Sequence, residues 1–212
     1  MKISITIMAH PKRRKQAEKL LVQLAGQGFI NCYITWDQIN NEWDTGSRAL
    51  RRGIDAGGLY HVVIQDDAIL PPNFYEHCVN ALNAVPQRVL VSLYTGTVRP
   101  LPDRVAHAVK KAAKCSWLKS NLLYWGVGIA IPTNQIADML DFVADRTEVY
   151  DQRIGWAYMR QALPVYYTNP SLVDHDEAIG SLIGNGYAGV PRKAHNFIGD
   201  RQVTWNNLVI DI

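Results

Sequence analysis

The stretch His61-Val62-Val63-Ile64-Gln65-Asp66-Asp67-Ala68-Ile69-Leu70-Pro71-Pro72 constrains this chain more than any other. A run of β-branched residues leaves a Gly57-Gly58 break, stops on two adjacent carboxylates and passes through a Pro-Pro turn. It therefore reads as a buried strand with acid at its carboxyl end. Open α/β sheets bind their ligands at that end of their strands. Two neighbouring carboxylates repel each other and shift one another's pKa, and a divalent cation relieves the repulsion most simply. Asp66 and Asp67 are thus the organising pair. The bland alternative is a surface turn in which one Asp caps the following helix.

The segments around this strand alternate as a wound sheet requires. Lys2 to Met8 reads as a strand ended by His10-Pro11, Arg13 to Leu24 carries Ala17, Leu20, Leu21 and Leu24 at helical spacing, and Ile30 to Thr35 reads as a second strand ending in Trp36-Asp37. Strand, helix, strand predicts a βαβ unit with parallel strands. Thr45 or Ser47 is the expected cap of a helix over Arg48 to Ala56. A helix over Phe74 to Val85, a strand over Arg88 to Tyr94 and a short helix over Val105 to Lys114 follow. Leu122 to Pro132 reads as a strand pair or one long bent strand, Thr133 as the cap of another helix, Tyr150 to Leu163 as a helix, and Val165 to Thr168 as a strand. From Gly180 onward, loops that fold over a ligand are expected. The predicted class is α/β: one Rossmann-like domain over residues 1–212, its mostly parallel central sheet flanked by helices.

With 212 residues, 48% of them hydrophobic and 19% charged, the chain has material for a substantial core. Its net charge of +3 is spread along the sequence, which tolerates a phosphate-bearing ligand without demanding one. Cys32, Cys78 and Cys115 are odd in number and far apart, so neither a disulfide framework nor a zinc knuckle is expected. The apolar run Ile3 to Ala9 is short and is followed, not preceded, by the basic Lys12-Arg13-Arg14-Lys15, unlike a signal peptide. No stretch approaches membrane-spanning length, and a soluble cytoplasmic protein is expected. Gly184-Asn185-Gly186-Tyr187-Ala188-Gly189 matches the dinucleotide fingerprint, but Pro191 and Arg192-Lys193 follow it where a helix is needed. There is no G-x-x-x-x-G-K-[ST] loop and no G-x-S-x-G elbow, which disfavours P-loop NTPases and serine hydrolases.

The chemistry-bearing residues outside the acid pair each have two readings. Asp37, at the end of the second strand, binds a nucleoside or caps a turn. Arg48, Arg51 and Arg52 share a helix side that meets phosphate or merely solvent. Asp151 is a general base or a helix N-cap, and His175, after a Pro-Ser-Leu-Val turn, is a metal ligand or structural. Trp125 and Trp156 stack on sugar or base faces or belong to the core. From the tail, Arg192, Lys193 or His195 closes on a diphosphate.

The order of these motifs resembles small glycosyltransferases of the GT-A type, of the sort encoded by bacteria and their phages. Ile7-Met8-Ala9-His10-Pro11 resembles the first-strand exit, Gln65-Asp66-Asp67-Ala68 the D-x-D-type metal motif, Tyr150 to Trp156 the acceptor-side acid, and Pro170 to His175 the late histidine segment. The resemblance implies transfer of a sugar from a nucleoside diphosphate sugar, UDP-linked by default, to an acceptor hydroxyl. It implies Mn²⁺ or Mg²⁺ at Asp66, Asp67 and His175, donor binding by His10, Pro11, Arg14, Asp37, Arg48, Gln65 and Asp66, and acceptor binding by Trp125, Gly126 and Trp156. Asp151 would serve as base. A nucleotide-sugar half over 1–100, an acceptor half over 101–180 and a C-terminal loop over 181–212 are expected. Gln65 stands where the motif's first acid belongs, which leaves open which of Asp66 and Asp67 ligates the metal. The acceptor is a glycan or lipid-linked saccharide, a protein side chain, or a hydroxymethylated DNA base, whose phosphate backbone would meet Lys12 to Lys15, Arg48 to Arg52 and Lys110 to Lys114. A nucleotidyltransferase and a non-catalytic nucleic-acid-binding protein are the rival classes.

Overall fold

In the computed structural model, which describes residues 1–98, 100–176, 178 and 192–212, β1 (Ile3–Ala9) is buried from end to end. Ile3, Ile5 and Ile7 alternate with Ser4, Thr6 and Met8, and a strand that hides both of its faces belongs at the centre of a sheet covered on each side. The polar Ser4 is satisfied internally. Its Oγ lies 2.7 Å from His61 Nδ1, and His61 Nε2 lies 3.0 Å from the Ala49 carbonyl oxygen. Burial pushes His61 down to about 4, so it is a neutral core histidine.

One turn of 3₁₀ helix, Pro11–Arg13, leads into α1 (Arg14–Leu24), and β2 (Cys32–Trp36) returns parallel to β1, completing the predicted βαβ unit. α2 (Glu42–Ala56) precedes β3 (Tyr60–Gln65), which lies parallel on the other side of β1. Met8 pairs with both Thr35 and Gln65. That register levels the three carboxyl ends, so the chain leaves the sheet at His10, Asp37 and Asp66 along one edge. Beyond them come β4 (Ala68–Ile69), α3 (Phe74–Ala84), β5 (Val91–Ser92), α4 (Pro102–Lys111), β6 (Trp117–Ser120), β7 (Gly128–Pro132), α5 (Ile136–Phe142), α6 (Tyr150–Arg160), β8 (Val165–Thr168), β9 (Asp174–His175) and β10 (Val209–Asp211). Among the described residues the main sheet runs β10-β6-β8-β5-β7-β3-β1-β2, and β4 and β9 form a small antiparallel pair beside it. The molecule is an α/β domain whose mostly parallel central sheet is flanked by helices.

Several expected boundaries move. α2 starts at Glu42, not Arg48, because Asn41 caps it: its side-chain oxygen accepts the Asp44 N–H at 2.9 Å. Thr45 and Ser47 instead sit inside the helix, each hydroxyl donating to a backbone carbonyl one turn back. Only Val91–Ser92 of the expected Arg88 to Tyr94 strand enters the ladder. Leu122 to Pro132 is neither a strand pair nor a long bent strand: its last five residues form β7, antiparallel between β3 and β5, while Leu122 to Val127 runs outside regular structure. The tail is not all loop, since β10 adds an edge strand beside β6. The 184–189 glycine motif lies outside the described residues. The three cysteines are free, and no helix of the described residues is long and apolar enough to cross a membrane.

Candidate functional site

The acid pair lies immediately after β3, and the turn holding it is pinned from two directions. From the N-terminal side, Pro11 starts a 3₁₀ turn that points Arg13 inward. Arg13 Nη1 donates to Asp66 Oδ1 at 2.8 Å and to Asp67 Oδ2 at 2.7 Å. The His10 backbone N–H donates to the other oxygen of Asp66 at 2.8 Å. From the C-terminal side, pairing of Ala68 with His175 in the small sheet brings His175 Nε2 within 3.2 Å of Asp67 Oδ2. All four side chains are buried. Burial raises the pKa of Asp66 against the pull of the His10 N–H and Arg13. Burial presses on Asp67 in the same sense, but His175 and Arg13 together outweigh it and hold this carboxyl below its ordinary value. Neither acid caps α3, whose N-cap is Asn73.

Two recesses open above the pair. The smaller, of about 120 Å³, is lined by Met8, Ala9, His10, Arg13, Asp37, Asn40, Glu42, Thr45, Gln65, Asp66, Asp67 and Arg192, at the carboxyl ends of β1, β2 and β3. The larger, of about 870 Å³, is walled by Tyr94, Tyr124, Trp125 and Trp156 and holds Gly126, Asp151 and His175. Glu42, Gln65 and Arg192 line both, so the two recesses form one cleft.

The structure therefore gathers His10, Asp37, Gln65, Asp66, Asp67, Trp125, Gly126, Asp151, Trp156 and His175 around one space. It leaves out Pro11, Arg14 and Arg48. Pro11 serves as the first residue of the 3₁₀ turn. Arg14 faces outward, over the Trp36 ring at 4.7 Å and near Glu18. Arg48 is committed to Asp44 and to the Trp36 carbonyl oxygen. Of the tail candidates, Arg192 lines the cleft, whereas the Lys193 carbonyl accepts the Thr97 N–H and the His195 N–H donates to the Thr95 carbonyl. Arg51, Arg52, Lys110, Lys111 and Lys114 lie outside the lining.

Two carboxyls, those of Asp151 and Glu42, line the larger recess. Asp151 occupies the first turn of α6 but does not cap it: the N-cap is Val149, and the Asp151 carboxylate accepts the next residue's N–H at 2.8 Å. Burial lifts Asp151 to about 6. Glu42, the first residue of α2, is lifted to about 7, by burial first and then by repulsion from Asp151 and Asp67. Helix N-termini favour anions, so the upward shifts mean that desolvation wins here. Behind them stands the Tyr150 ring, wedged so tightly that a Cβ on Gly46 would come within 2.3 Å of it and one on Gly126 within 2.9 Å.

Arg13 and Glu42 carry much of this site, and neither stands among the residues the sequence points to. Arg13 is hidden inside a basic run whose inward member only the 3₁₀ turn selects. Glu42 is hidden when the helix start is placed too late; the Asn41-x-x-Asp44 cap is the signal that reveals it.

No protein-family model matches the chain, and no curated protein matches it. Among solved structures it is similar to a glycosyltransferase involved in the glycosylation of the major capsid of PBCV-1, with a TM-score of 0.51 and 11% identity, over 79% of this chain and 83% of that one. It also overlaps, with TM-scores of 0.44, a mannose-1-phosphate geranyltransferase from Thermus thermophilus (11% identity; 79% of this chain, 74% of that one) and a nucleotidyl transferase from Methanothermobacter (14% identity; 79% and 86%). The first of these likenesses is one of fold.

Proposed function

We propose that the protein is a glycosyltransferase that moves a sugar from a nucleoside diphosphate sugar, UDP-linked by default, to an acceptor hydroxyl. One observation carries the reading: the cleft joins a charged recess at the strand ends to an aromatic chamber holding the raised carboxyl of Asp151, with Glu42, Gln65 and Arg192 lining the junction. The charged recess suits the nucleotide end of a donor, with Asp37 facing the nucleoside and Arg192 meeting the diphosphate. In the chamber, Trp156 offers an apolar face to a sugar, and Trp125, packed into the core among tyrosines, forms the wall behind it. Asp151 takes the proton of the acceptor hydroxyl as that oxygen bonds to the sugar's anomeric carbon, and the electron pair of the breaking carbon–oxygen bond leaves with the nucleoside diphosphate. Such transfer inverts the anomeric centre.

Charge argues for a divalent cation with the donor. Among the described lining residues, Asp37, Glu42, Asp66, Asp67 and Asp151 stand against Arg13 and Arg192, and Arg13 is already engaged by two of the acids. A diphosphate entering there meets net negative charge. No group of three or more His, Cys, Asp or Glu side chains among the described residues is placed to hold a metal by itself. The residues fit a part-protein site of the Mg²⁺ or Mn²⁺ kind, in which the substrate's own oxygens complete the shell. Both Asp66 oxygens have donors, whereas Asp67 Oδ1 and His175 Nδ1 are buried without a partner. Asp67, whose Oδ1 is the unpartnered oxygen, is accordingly the residue that would hold Mn²⁺ or Mg²⁺; His175 holds its other oxygen through Nε2, and Asp66 orients Arg13. The cation supplies Lewis-acid stabilisation of the departing diphosphate.

Thermal shift against nucleoside diphosphate sugars and nucleoside triphosphates, each with Mn²⁺ and with a chelator, tests the reading, because a ligand of the folded state raises Tm. Stabilisation by a sugar nucleotide, with loss of that stabilisation in Asp67→Asn, is expected. Stabilisation by triphosphates alone, with pyrophosphate released in the presence of a sugar phosphate, would make the protein a nucleotidyltransferase instead.

A further inference from the structure

Four large apolar side chains that the fold leaves in water gather in one place. Leu101, Leu122, Val149 and Trp156 are 46%, 44%, 50% and 39% exposed, and all four line the large chamber. They come from separate parts of the chain: the residue before α4, the loop after β6, the residue before α6 and the second turn of α6. Isolated exposed apolar residues are ordinary, but a contiguous group around a cavity marks a binding surface. The surface continues outward, since Arg146 stacks 4.8 Å above the Trp156 ring and 5.9 Å from that of Phe142, itself 42% exposed. Inward, the same chamber ends on the carboxyls of Asp151 and Glu42, and Arg192 is the one Arg or Lys in its described lining.

This gradient selects among acceptors. A phosphate backbone would bring negative charge against two carboxyls and an apolar rim, while the basic runs that suit it lie outside the chamber. A bare saccharide would leave the rim in water. We propose that the acceptor is amphipathic: a hydroxyl-bearing head, such as a saccharide, that carries an alkyl or aryl aglycone. The hydroxyl reaches Asp151, and the apolar part lies across Leu101, Leu122, Val149 and Trp156. The inference rests on the glycosyltransferase reading for the role of Asp151, but the apolar subsite stands by itself.

Binding of methyl, butyl, hexyl and octyl glucosides below their micellar concentrations, followed by tryptophan fluorescence and calorimetry, tests it. Affinity should rise about fourfold for each methylene added, the gain expected for burying such groups. Leu122→Asp and Val149→Asp should each weaken octyl glucoside at least tenfold, while Leu208→Asp, at a residue 52% exposed outside the chamber, leaves it unchanged. These sites are exposed, so the variants keep the fold, and the wild-type series needs no variant at all. Affinity independent of chain length, an equal loss in Leu208→Asp, or tighter binding of a 5-hydroxymethylcytosine oligonucleotide or a hydroxyl-bearing peptide overturns the inference. Donor binding is measured in the same proteins. A flat alkyl series with donor binding intact removes only the amphipathic acceptor, whereas alkyl binding without any sugar-nucleotide binding removes the transfer reaction and keeps the apolar subsite.

Discussion

Arg13 and Arg14 are chemically identical neighbours that the backbone sends in opposite directions. Sequence alone favours neither, because nothing in a run of four basic residues tells which one a 3₁₀ turn will bury, and Arg14 lies outside the cleft for that reason; only the position of Pro11, fixed by the end of β1, decides it. Arg13 is the cation that makes two adjacent buried carboxylates tolerable. Replacing it, in Arg13→Met, leaves them unpaired and should cost about 3–5 kcal/mol at neutral pH, measured by urea unfolding. The sign with pH follows from Asp67. Its pKa is held below the ordinary carboxylate value, partly by Arg13, so this stabilisation is present above the ordinary value and is lost as pH falls through the depressed one. The two proteins should differ most above pH ~5 and converge in acid. The acid pair itself is legible in the sequence, since a β-branched run ending in two aspartates before Pro-Pro has few other uses. Of its partners, Arg13 reaches it only through the 3₁₀ turn after β1, and His175 only through the tertiary pairing of β4 with β9.

α2 shows why boundaries are less legible than elements. Its apolar spacing and arginines announce the helix body, yet the functional residue sits in the first turn, before that spacing begins. Glu42 is raised to about 7, so the folded state holds a proton that the unfolded chain, at an ordinary glutamate value, releases. Stability therefore falls as pH rises from the ordinary value through about 7, and Glu42→Gln should flatten that fall. A gain on the order of 1–2 kcal/mol at pH 8, discounted for partial solvent exposure, is expected by denaturant melts. Asp151, raised to about 6, gives the opposite dependence in activity: the base must be ionised, so turnover should climb as pH passes about 6, and Asp151→Asn should remove it. The interior of α2 carries a third expectation. Gly46→Ala would ordinarily gain about 1 kcal/mol of helix propensity, but here the new Cβ meets the fully buried Tyr150 ring. Overpacking of this kind costs about 1–3 kcal/mol, so the substitution should lower Tm and, by pushing Tyr150, displace Asp151 beside it.

Across the whole molecule the charged recess of the cleft and the β10 edge of the sheet lie at opposite ends of the strand order. The recess opens at the ends of β1, β2 and β3, whereas β10 lies beyond β6, β8, β5 and β7. The glycine- and asparagine-rich tail offers no periodicity from which to read β10, because three residues cannot show one. Its hold on the fold is tertiary: Val209–Asp211 pair with β6, the Ile212 N–H donates to the Lys119 carbonyl, Arg104 donates to the Ile212 carbonyl, and Ile212 is buried. Ending the chain at Leu208 removes those bonds and uncovers the edge of β6. Burial of one isoleucine is worth about 1.5–3 kcal/mol and each hydrogen bond about 0.5–1.5 kcal/mol net, and a kcal/mol moves Tm by about 2–4 °C in a chain of this size. The truncated protein should thus melt on the order of 10 °C lower by calorimetry and, with an unpaired edge exposed, aggregate on heating. Its affinity for whichever sugar nucleotide stabilises the intact chain should be unchanged at room temperature. A matching loss of affinity would mean that the strand acts on the cleft through the sheet; an unchanged value assigns β10 to stability alone.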